Sequence, residues 1–439
     1  MTKSEPIFEL FDRYCENDGQ VTQLQEPTPT PDTETTTGAA AAGKGRPRMP
    51  LFTSTDLFLW MNATGYSVRH NLITHELEFK DSNGKTIRPD DFVVTVHDSL
   101  GDKFKSMSAD WIRMKLAYIG AQTAYNPVID LLNGVKWDGR DRLEQLCFIM
   151  GIEDDKLSQV YVRKWLYQTV ALLFNNEEEP FGADGVLVLN GPQGVGKTSL
   201  LRHLALNSAF FLEGGIIKDS DKDYERRCLT CWICELGEVG TTLKSDVDRL
   251  KNFITAPFDK YRLPYGRTDT EVARRTSLAA SCNDEQYLID ITGNRRWWTV
   301  RMTRQITRDD LEALDALQLW AQVFSDVSKM THKQKEACFR LTDDEREALI
   351  KRNVDFEKPV KAEDEVRDIL CEAQEKGYMY KVQTVSEFKT VWEILKPYSV
   401  NQIGVALKRC GYSQTRTKTQ RGYNLPVRWR YEREDGGDK

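Results

Sequence analysis

The octapeptide Gly191-Pro192-Gln193-Gly194-Val195-Gly196-Lys197-Thr198 has the composition of a phosphate-holding loop. Glycines let successive backbone N–H groups converge on one anion, and a loop that runs straight into a helix adds the field of the helix N-terminus. In the pattern G-x-x-x-x-G-K-[ST], the lysine reaches the β- and γ-phosphates of a nucleoside triphosphate and the hydroxyl ligates Mg²⁺. Here those residues are Lys197 and Thr198. The nucleotide-contacting candidates are Gly191, Pro192, Gln193, Gly194, Val195, Gly196, Lys197, Thr198 and Ser199. The implied cofactors are ATP and Mg²⁺.

Hydrolysis needs two further groups: an acid that holds the metal and polarises water, and a polar side chain for the attacking water or the γ-phosphate. Glu235 closes the apolar run Trp232-Ile233-Cys234, and Glu238 follows one turn later. Asn283 ends the run Leu278-Ala279-Ala280-Ser281-Cys282. Further on, Arg295-Arg296-Trp297-Trp298 offers two guanidinium groups braced by two tryptophans, a pattern suited to placing charge on a neighbour's γ-phosphate. A surface arginine stacked on tryptophan gives the same pattern. Cys228, Cys231 and Cys234 repeat C-x-x-C twice, but no fourth metal ligand is evident nearby. Residues three apart in a strand face opposite sides of it, so buried thiols are expected.

These groups require a sheet to hold them. Residues 185–190 form a continuous apolar run bounded by turn residues, as in a strand buried on both faces. Similar runs at 231–234 and 277–281, with helical patterns between, predict an α/β core. Upstream, residues 66–79 alternate apolar and polar, Asp81-Ser82-Asn83-Gly84 supplies hairpin chemistry, and Phe92-Val93-Val94-Thr95-Val96 is a second strand candidate. Residues 109–121 have helical spacing, and residues 6–15 suit one short helix. From 22 to 50 the chain is rich in Pro, Thr and Gly, a composition that buries too little surface to offset its ordering entropy. The expected organisation is a disordered tail at 1–50, a small α+β domain at 51–136, a P-loop ATPase core at 137–326, a helical connector at 327–381 and a DNA-binding domain at 382–439.

With 439 residues, 40% hydrophobic and 29% charged, the chain has material for about two to four domains, which excludes wholesale disorder. No apolar run approaches the ~18–20 residues of a membrane span, and the N-terminus lacks the apolar centre of a signal peptide. Nine cysteines without framework spacing suit reduced thiols in a cytosol, so a cytoplasmic protein without membrane contact is expected. The net charge of −6 does not decide the question of nucleic acid, because local charge governs such binding.

Local charge is basic at the C-terminus. Lys408, Arg409, Arg416, Lys418, Arg421, Arg428 and Arg430 face no acid in the sequence, and Tyr412, Tyr423 and Trp429 lie among them. A helix over 400–408, followed by two strands around a Gly422-containing turn, is winged-helix-like and would attract the phosphates of duplex DNA.

Taken together, the loop 191–198, Trp232-Ile233-Cys234-Glu235-Leu236-Gly237-Glu238, Ser281-Cys282-Asn283 and Thr292-Gly293-Asn294-Arg295-Arg296-Trp297-Trp298 resemble the virulence-associated protein E family. These are P-loop ATPases of phages, plasmids and phage-related islands, related to superfamily three replicative helicases. Tyr125-Asn126-Pro127-Val128 and Trp137-Asp138-Gly139-Arg140-Asp141-Arg142-Leu143 fit the family's lead-in. The resemblance implies an AAA+-like core working as a ring, commonly a hexamer, on DNA in the cytoplasm of a bacterial host. By position, Lys197 and Thr198 are the Walker A pair, Glu235 is the Walker B acid, Asn283 is sensor one, and Arg295 or Arg296 is the finger. The single Glu235, where viral helicases often show two acids, leaves the catalytic base open between Glu235 and Glu238. A DNA-facing hairpin falls at 259–267, with Lys260, Arg262 and Arg267 as its cations. Relatives often carry an N-terminal primase, for which this chain has no domain, so no primase activity is expected. The expected function is therefore an ATP-driven helicase or replication initiator of a mobile element. Its partners would be single-stranded and forked or origin DNA, together with host or element replication proteins. The rival readings are an ATP-gated DNA-binding switch, or an interference or packaging ATPase that does not translocate.

Overall fold

The computed structural model describes residues 49–105, 107–217, 222–237, 247–261, 270–288, 294–358, 362–416 and 421–427. They fall into two units, one up to Pro127 and one taking up nearly all the described chain from Val128 onward.

In the first unit, the helix Ser54–Thr64 starts at a reciprocal cap. The Thr53 hydroxyl accepts the Asp56 N–H, and the Asp56 carboxylate accepts the Thr53 N–H, worth about 1 kcal/mol. Strands β1 (Ser67–His70), β2 (Leu77–Lys80) and β3 (Thr86–Ile87) pair antiparallel, and the Asp81–Gly84 turn joins the last two. The expected strand at 92–96 is instead part of a helix, Pro89–Leu100. Pro89 sits in its first turn with Asp90 and Asp91, which favours a helix start. The buried residues are Phe92, Val93, Val96 and Leu100, with Val94 exposed, so the burial follows helical and not alternating spacing. This face packs with Phe79 and with Ile112 and Leu116 of the helix Ala109–Gln122.

The second unit is built on β4 (Val186–Asn190), β5 (Phe211–Gly215), β6 (Ile233–Leu236), β7 (Phe258–Tyr261), β8 (Thr270–Ala273), β9 (Ser277–Cys282) and β10 (Trp297–Arg301). Strands β7 and β8 form a separate ribbon, and the other five make one parallel sheet in the order β10-β4-β9-β6-β5. All five residues of β4 and all four of β6 are buried, as continuous apolar runs require when helices cover both faces. Three buried tryptophans tie helices to this sheet, each with its indole N–H satisfied. Trp165 donates to the Leu278 carbonyl at 2.9 Å, Trp232 to that of Thr169 at 3.2 Å, and Trp320 to that of Leu204 at 2.6 Å. Cys228, Cys231 and Cys234 are buried in the same core, with Val186, Leu278 and Trp297.

Beyond the sheet run the helices Ala316–Val327, His332–Cys338 and Asp343–Asn353. A further core brings together the helix Ala362–Glu375, β11 (Met379–Gln383), the helices Val385–Val391 and Val400–Arg409, β12 (Gln414–Arg416) and β13 (Arg421–Val427). The sheet is antiparallel with β13 in the centre, paired to β11 and β12. Two details differ from the sequence expectation. A third strand, β11, joins the predicted pair, and Gly422 lies inside β13 and not in a turn. A Cβ there would stand 2.3 Å from the Gln383 carbonyl oxygen, so close strand approach is what requires this glycine.

Candidate nucleotide site

β4 delivers the chain to the loop at Gly191, whose N–H donates to the Cys282 carbonyl at the end of neighbouring β9 (3.1 Å). Gly194 and Gly196 then take φ values of 83° and 97°, conformations that side chains disfavour, and a Cβ at Gly196 would meet Ile306 at 2.9 Å. The helix Lys197–Leu204 follows directly. No side chain caps its start, so its first-turn N–H groups are left for an external acceptor.

The functional side chains converge here. Lys197 is 7% exposed, and its Nζ donates to the carbonyls of Gly191 and Pro192 at 2.8 Å each and to Asn283 Oδ1 at 2.7 Å. Burial pulls its pKa below the usual lysine value. Asn283 leaves β9, and the turn is fixed by Asn190, whose Nδ2 donates to the Asp284 carbonyl at 2.7 Å. The Thr198 hydroxyl donates to Glu235 Oε1 at 2.7 Å. Glu235 is 1% exposed on β6, and its Oε2 is buried with no hydrogen-bond partner. Burial pushes its carboxyl pKa up, opposed by the hydroxyls of Thr198 and Ser281. Lys197, Thr198, Glu235 and Asn283 thus meet at the carboxyl ends of β4, β6 and β9. There the chain order reverses across β4, the usual ligand position of an open parallel sheet. A hydroxyl beside a buried carboxylate with a spare oxygen is a hard-oxygen donor set that fits Mg²⁺.

Arg295 and Arg296 are not brought to this point. They form a single turn, Asn294–Arg296, that leads into β10. The register pairs Trp297 with Val186 and Arg301 with Asn190, so the arginines stand at the opposite end of β4 from the loop. Five residues at ~3.3 Å each separate the two ends by about 16 Å, beyond the reach of an arginine side chain. Trp297 and Trp298 do not brace the guanidinium groups. They are β10 residues, 3% and 0% exposed in the core. Arg295 is exposed and Arg296 half-buried, and the two line a cleft of about 240 Å³ with Asp184, Thr255, Arg340 and Arg346. The sequence did not single out Arg340 or Arg346. They lie far along the chain, and only the helices Ala316–Val327 and His332–Cys338 return them here. Burial, and the like charge of Arg295, lower the Arg296 pKa.

Of the DNA candidates, Arg262, Arg267, Lys418, Arg428 and Arg430 lie outside the described residues, as do Glu238 and the tail. Lys260 is exposed on β7 and pairs with Glu271 of β8 at 2.7 Å. Lys408, Arg416 and Arg421 are exposed. Arg409 corrects the expectation that the C-terminal cations face no acid. It pairs with Glu357 at 2.8 Å and Glu363 at 3.3 Å and donates to the Lys358 carbonyl at 2.9 Å, because the fold folds the helix Val400–Arg409 back onto an acidic segment.

The family model of the virulence-associated protein E-like domain matches residues 132–358, more than half of the chain. The chain belongs to that family. Every residue placed above at the virulence-associated protein E-like site, and the Arg295-Arg296 pair, lies inside the matched segment, which ends at Lys358 before the C-terminal core. Among solved structures, an apo structure of the NrS-1 C-terminal region aligns at a TM-score of 0.45 and 13% identity, covering 86% of this chain and 99% of that one. An A-form apo structure of the same region gives 0.44 and 13%, covering 87% and 100%. No curated protein matches the chain.

Proposed function

We propose that this virulence-associated protein E-like protein is an AAA+-like P-loop ATPase that hydrolyses ATP in a ring to unwind or move along DNA during replication of a mobile element. The observation that carries the reading is the pair of hydrogen bonds joining Lys197 to Asn283 and Thr198 to Glu235, across 86 and 37 residues of chain. A nucleotide site gives those four residue types a common purpose at the end of a buried strand.

The loop amides and Lys197 would hold the β- and γ-phosphates, and Thr198 with Glu235 would hold Mg²⁺, which supplies charge neutralisation for phosphoryl transfer. Asn283 would orient water beside Lys197, and Glu235 Oε2, buried without a hydrogen-bond partner, would accept its proton. Arg295 and Arg296, too far from their own loop, would serve a second copy's nucleotide, which is the reason to expect a ring, with a hexamer the family's common form. The C-terminal core, a helix followed by a basic hairpin, would act as a winged-helix-like DNA contact. The working location would be the cytoplasm of a bacterial host.

Measuring ATP hydrolysis and strand displacement on a forked DNA tests this directly. Wild type should show DNA-stimulated hydrolysis and displacement, and Lys197→Ala should show neither. Unchanged hydrolysis by Lys197→Ala would remove the nucleotide-site assignment. Hydrolysis without displacement would leave an ATP-gated DNA switch.

A further inference from the structure

The turn that carries Arg295 and Arg296 is gripped at its first residue. Asn294 Nδ2 donates to Glu357 Oε1 at 2.5 Å. Asn353 Nδ2 donates to the carbonyls of Asn294 and Trp297, at 2.7 and 3.0 Å, one on each side of the arginine pair. Neither arginine makes an ion pair among the described residues, and Arg296 Nε is buried without a hydrogen-bond partner. Asp184, the acid that shares their cleft, is ion-paired with Arg340 and acts on Arg296 only at longer range, so the direction of the guanidinium groups follows the backbone of the turn, held by Asn353 and Glu357.

Glu357 is occupied on both sides. Its second oxygen accepts from Arg409 Nη2 at 2.8 Å, and the two side chains are only 10% and 14% exposed. Arg409 belongs to the helix Val400–Arg409 of the C-terminal core. The segment is tied to the other half of the nucleotide site as well. Glu357 pairs with Leu288, Lys358 N donates to the Leu288 carbonyl at 2.8 Å, and Lys358 Nζ approaches Asp284 at 3.5 Å, next to Asn283. One short segment, 353–358, thus touches the arginine turn, the loop after Asn283 and the C-terminal helix.

We propose that Glu357 is a positioning residue: it holds the Asn294–Arg296 turn in its working direction, and Arg409 couples that hold to the placement of the C-terminal core. This rests on the reading of Arg295 and Arg296 as a pair acting on a neighbour's nucleotide. Displacement of the Val400–Arg409 helix would withdraw Arg409 and free one Glu357 oxygen. The Asn294 turn would then lose its fixed anchor, and hydrolysis at the adjoining subunit would slow without loss of ATP binding.

The test compares Glu357→Ala, Glu357→Gln and Arg409→Ala with Arg296→Ala and with the double variants, measuring kcat, KM for ATP, melting temperature and assembly on the full chain. Glu357→Gln keeps an oxygen for Asn294 but turns an amide toward Arg409, so it cuts the coupling while preserving shape. Glu357→Ala should lower kcat by about tenfold or more with KM within about twofold, and Glu357→Gln and Arg409→Ala should lower it less. In the Arg296→Ala background the same changes should add almost nothing, since they act through the arginine. An equal fold-loss in both backgrounds would mean that Glu357 is only structural and would overturn the proposal. So would full kcat in Glu357→Ala while Arg296→Ala is impaired, which leaves the arginine reading intact. Wild-type kcat in both Arg295→Ala and Arg296→Ala would remove the arginine reading and this inference together.

Discussion

Glu235 sits in an environment that an isolated carboxylate disfavours. It is buried on β6, with one oxygen on Thr198 and the other without a partner. Because burial raises its pKa above the ordinary 4.5, the folded chain holds this proton more tightly than the unfolded chain. The protonated form therefore contributes stability below that ordinary value, and the contribution is lost as pH rises through the raised folded value. Above that raised folded value the ionised carboxylate is a cost to the apoprotein, and Mg²⁺ would relieve it. Glu235→Gln should accordingly melt at a higher temperature than wild type at alkaline pH without nucleotide or metal, with the difference shrinking as the pH falls toward the ordinary carboxylate range. Its turnover should drop by about 10²–10⁴, the usual worth of a general base. Melting curves at several pH values, with and without Mg²⁺, check both halves. Parallel curves at every pH would show that the Glu235 carboxylate carries no burial cost.

At the scale of elements, what the sequence revealed depended on how local the signal was. The loop 191–198 and the buried strands around it are legible because turn residues bound each apolar run, and Gly194 and Gly196 sit where φ is positive. The segment 92–96 was misread because five β-branched or aromatic residues in a row fit a strand as well as a helix. Pro89, Asp90 and Asp91 just upstream, a helix-start signature, decide it. The partners of Arg409 were not legible, since Glu357 lies 52 residues away and only the folded C-terminal core brings them together. The sequence reading puts Gly422 in a turn between two strands, whereas it lies inside β13. Its place in the middle strand yields a prediction at this scale. Gly422→Ala pushes a methyl group against the Gln383 carbonyl, so β13 must separate from β11 at a cost of about 1–3 kcal/mol. The variant should lose duplex DNA affinity and some of its salt dependence, while DNA-independent ATP hydrolysis falls no further than in Arg409→Ala. Binding isotherms at several salt concentrations, beside an ATPase assay, measure this. Unchanged DNA binding with a demonstrably destabilised C-terminal core would detach that core from DNA recognition.

At the scale of the molecule, the sheet separates the two halves of the proposed reaction. Lys197 lies at one end of β4 and Arg296 at the other, and the parallel register between β4 and β10 leaves no way to bring them together within one chain. If both serve one reaction, each complete site takes its lysine from one copy and its arginine from the next. An absent arginine finger typically costs about 10³–10⁵ in kcat, or roughly 4–7 kcal/mol of transition-state stabilisation, with far less effect on ATP binding. Arg296→Ala should therefore assemble and bind ATP, yet hydrolyse it very slowly, and Lys197→Ala should assemble without binding it. Mixed together, the two inactive proteins should recover part of the wild-type rate. At some junctions an intact Lys197, from an Arg296→Ala subunit, will face an intact Arg296 from a Lys197→Ala subunit. The recovered rate should rise and then fall as the mixing ratio is varied, with a maximum at intermediate composition, because complete junctions need one subunit of each kind. A double variant carrying both changes in the same chain should rescue neither parent. If the mixtures stay inactive while labelled subunits are seen to exchange, the arginine does not act across the interface, and the separation along β4 would then place Arg296 outside catalysis altogether.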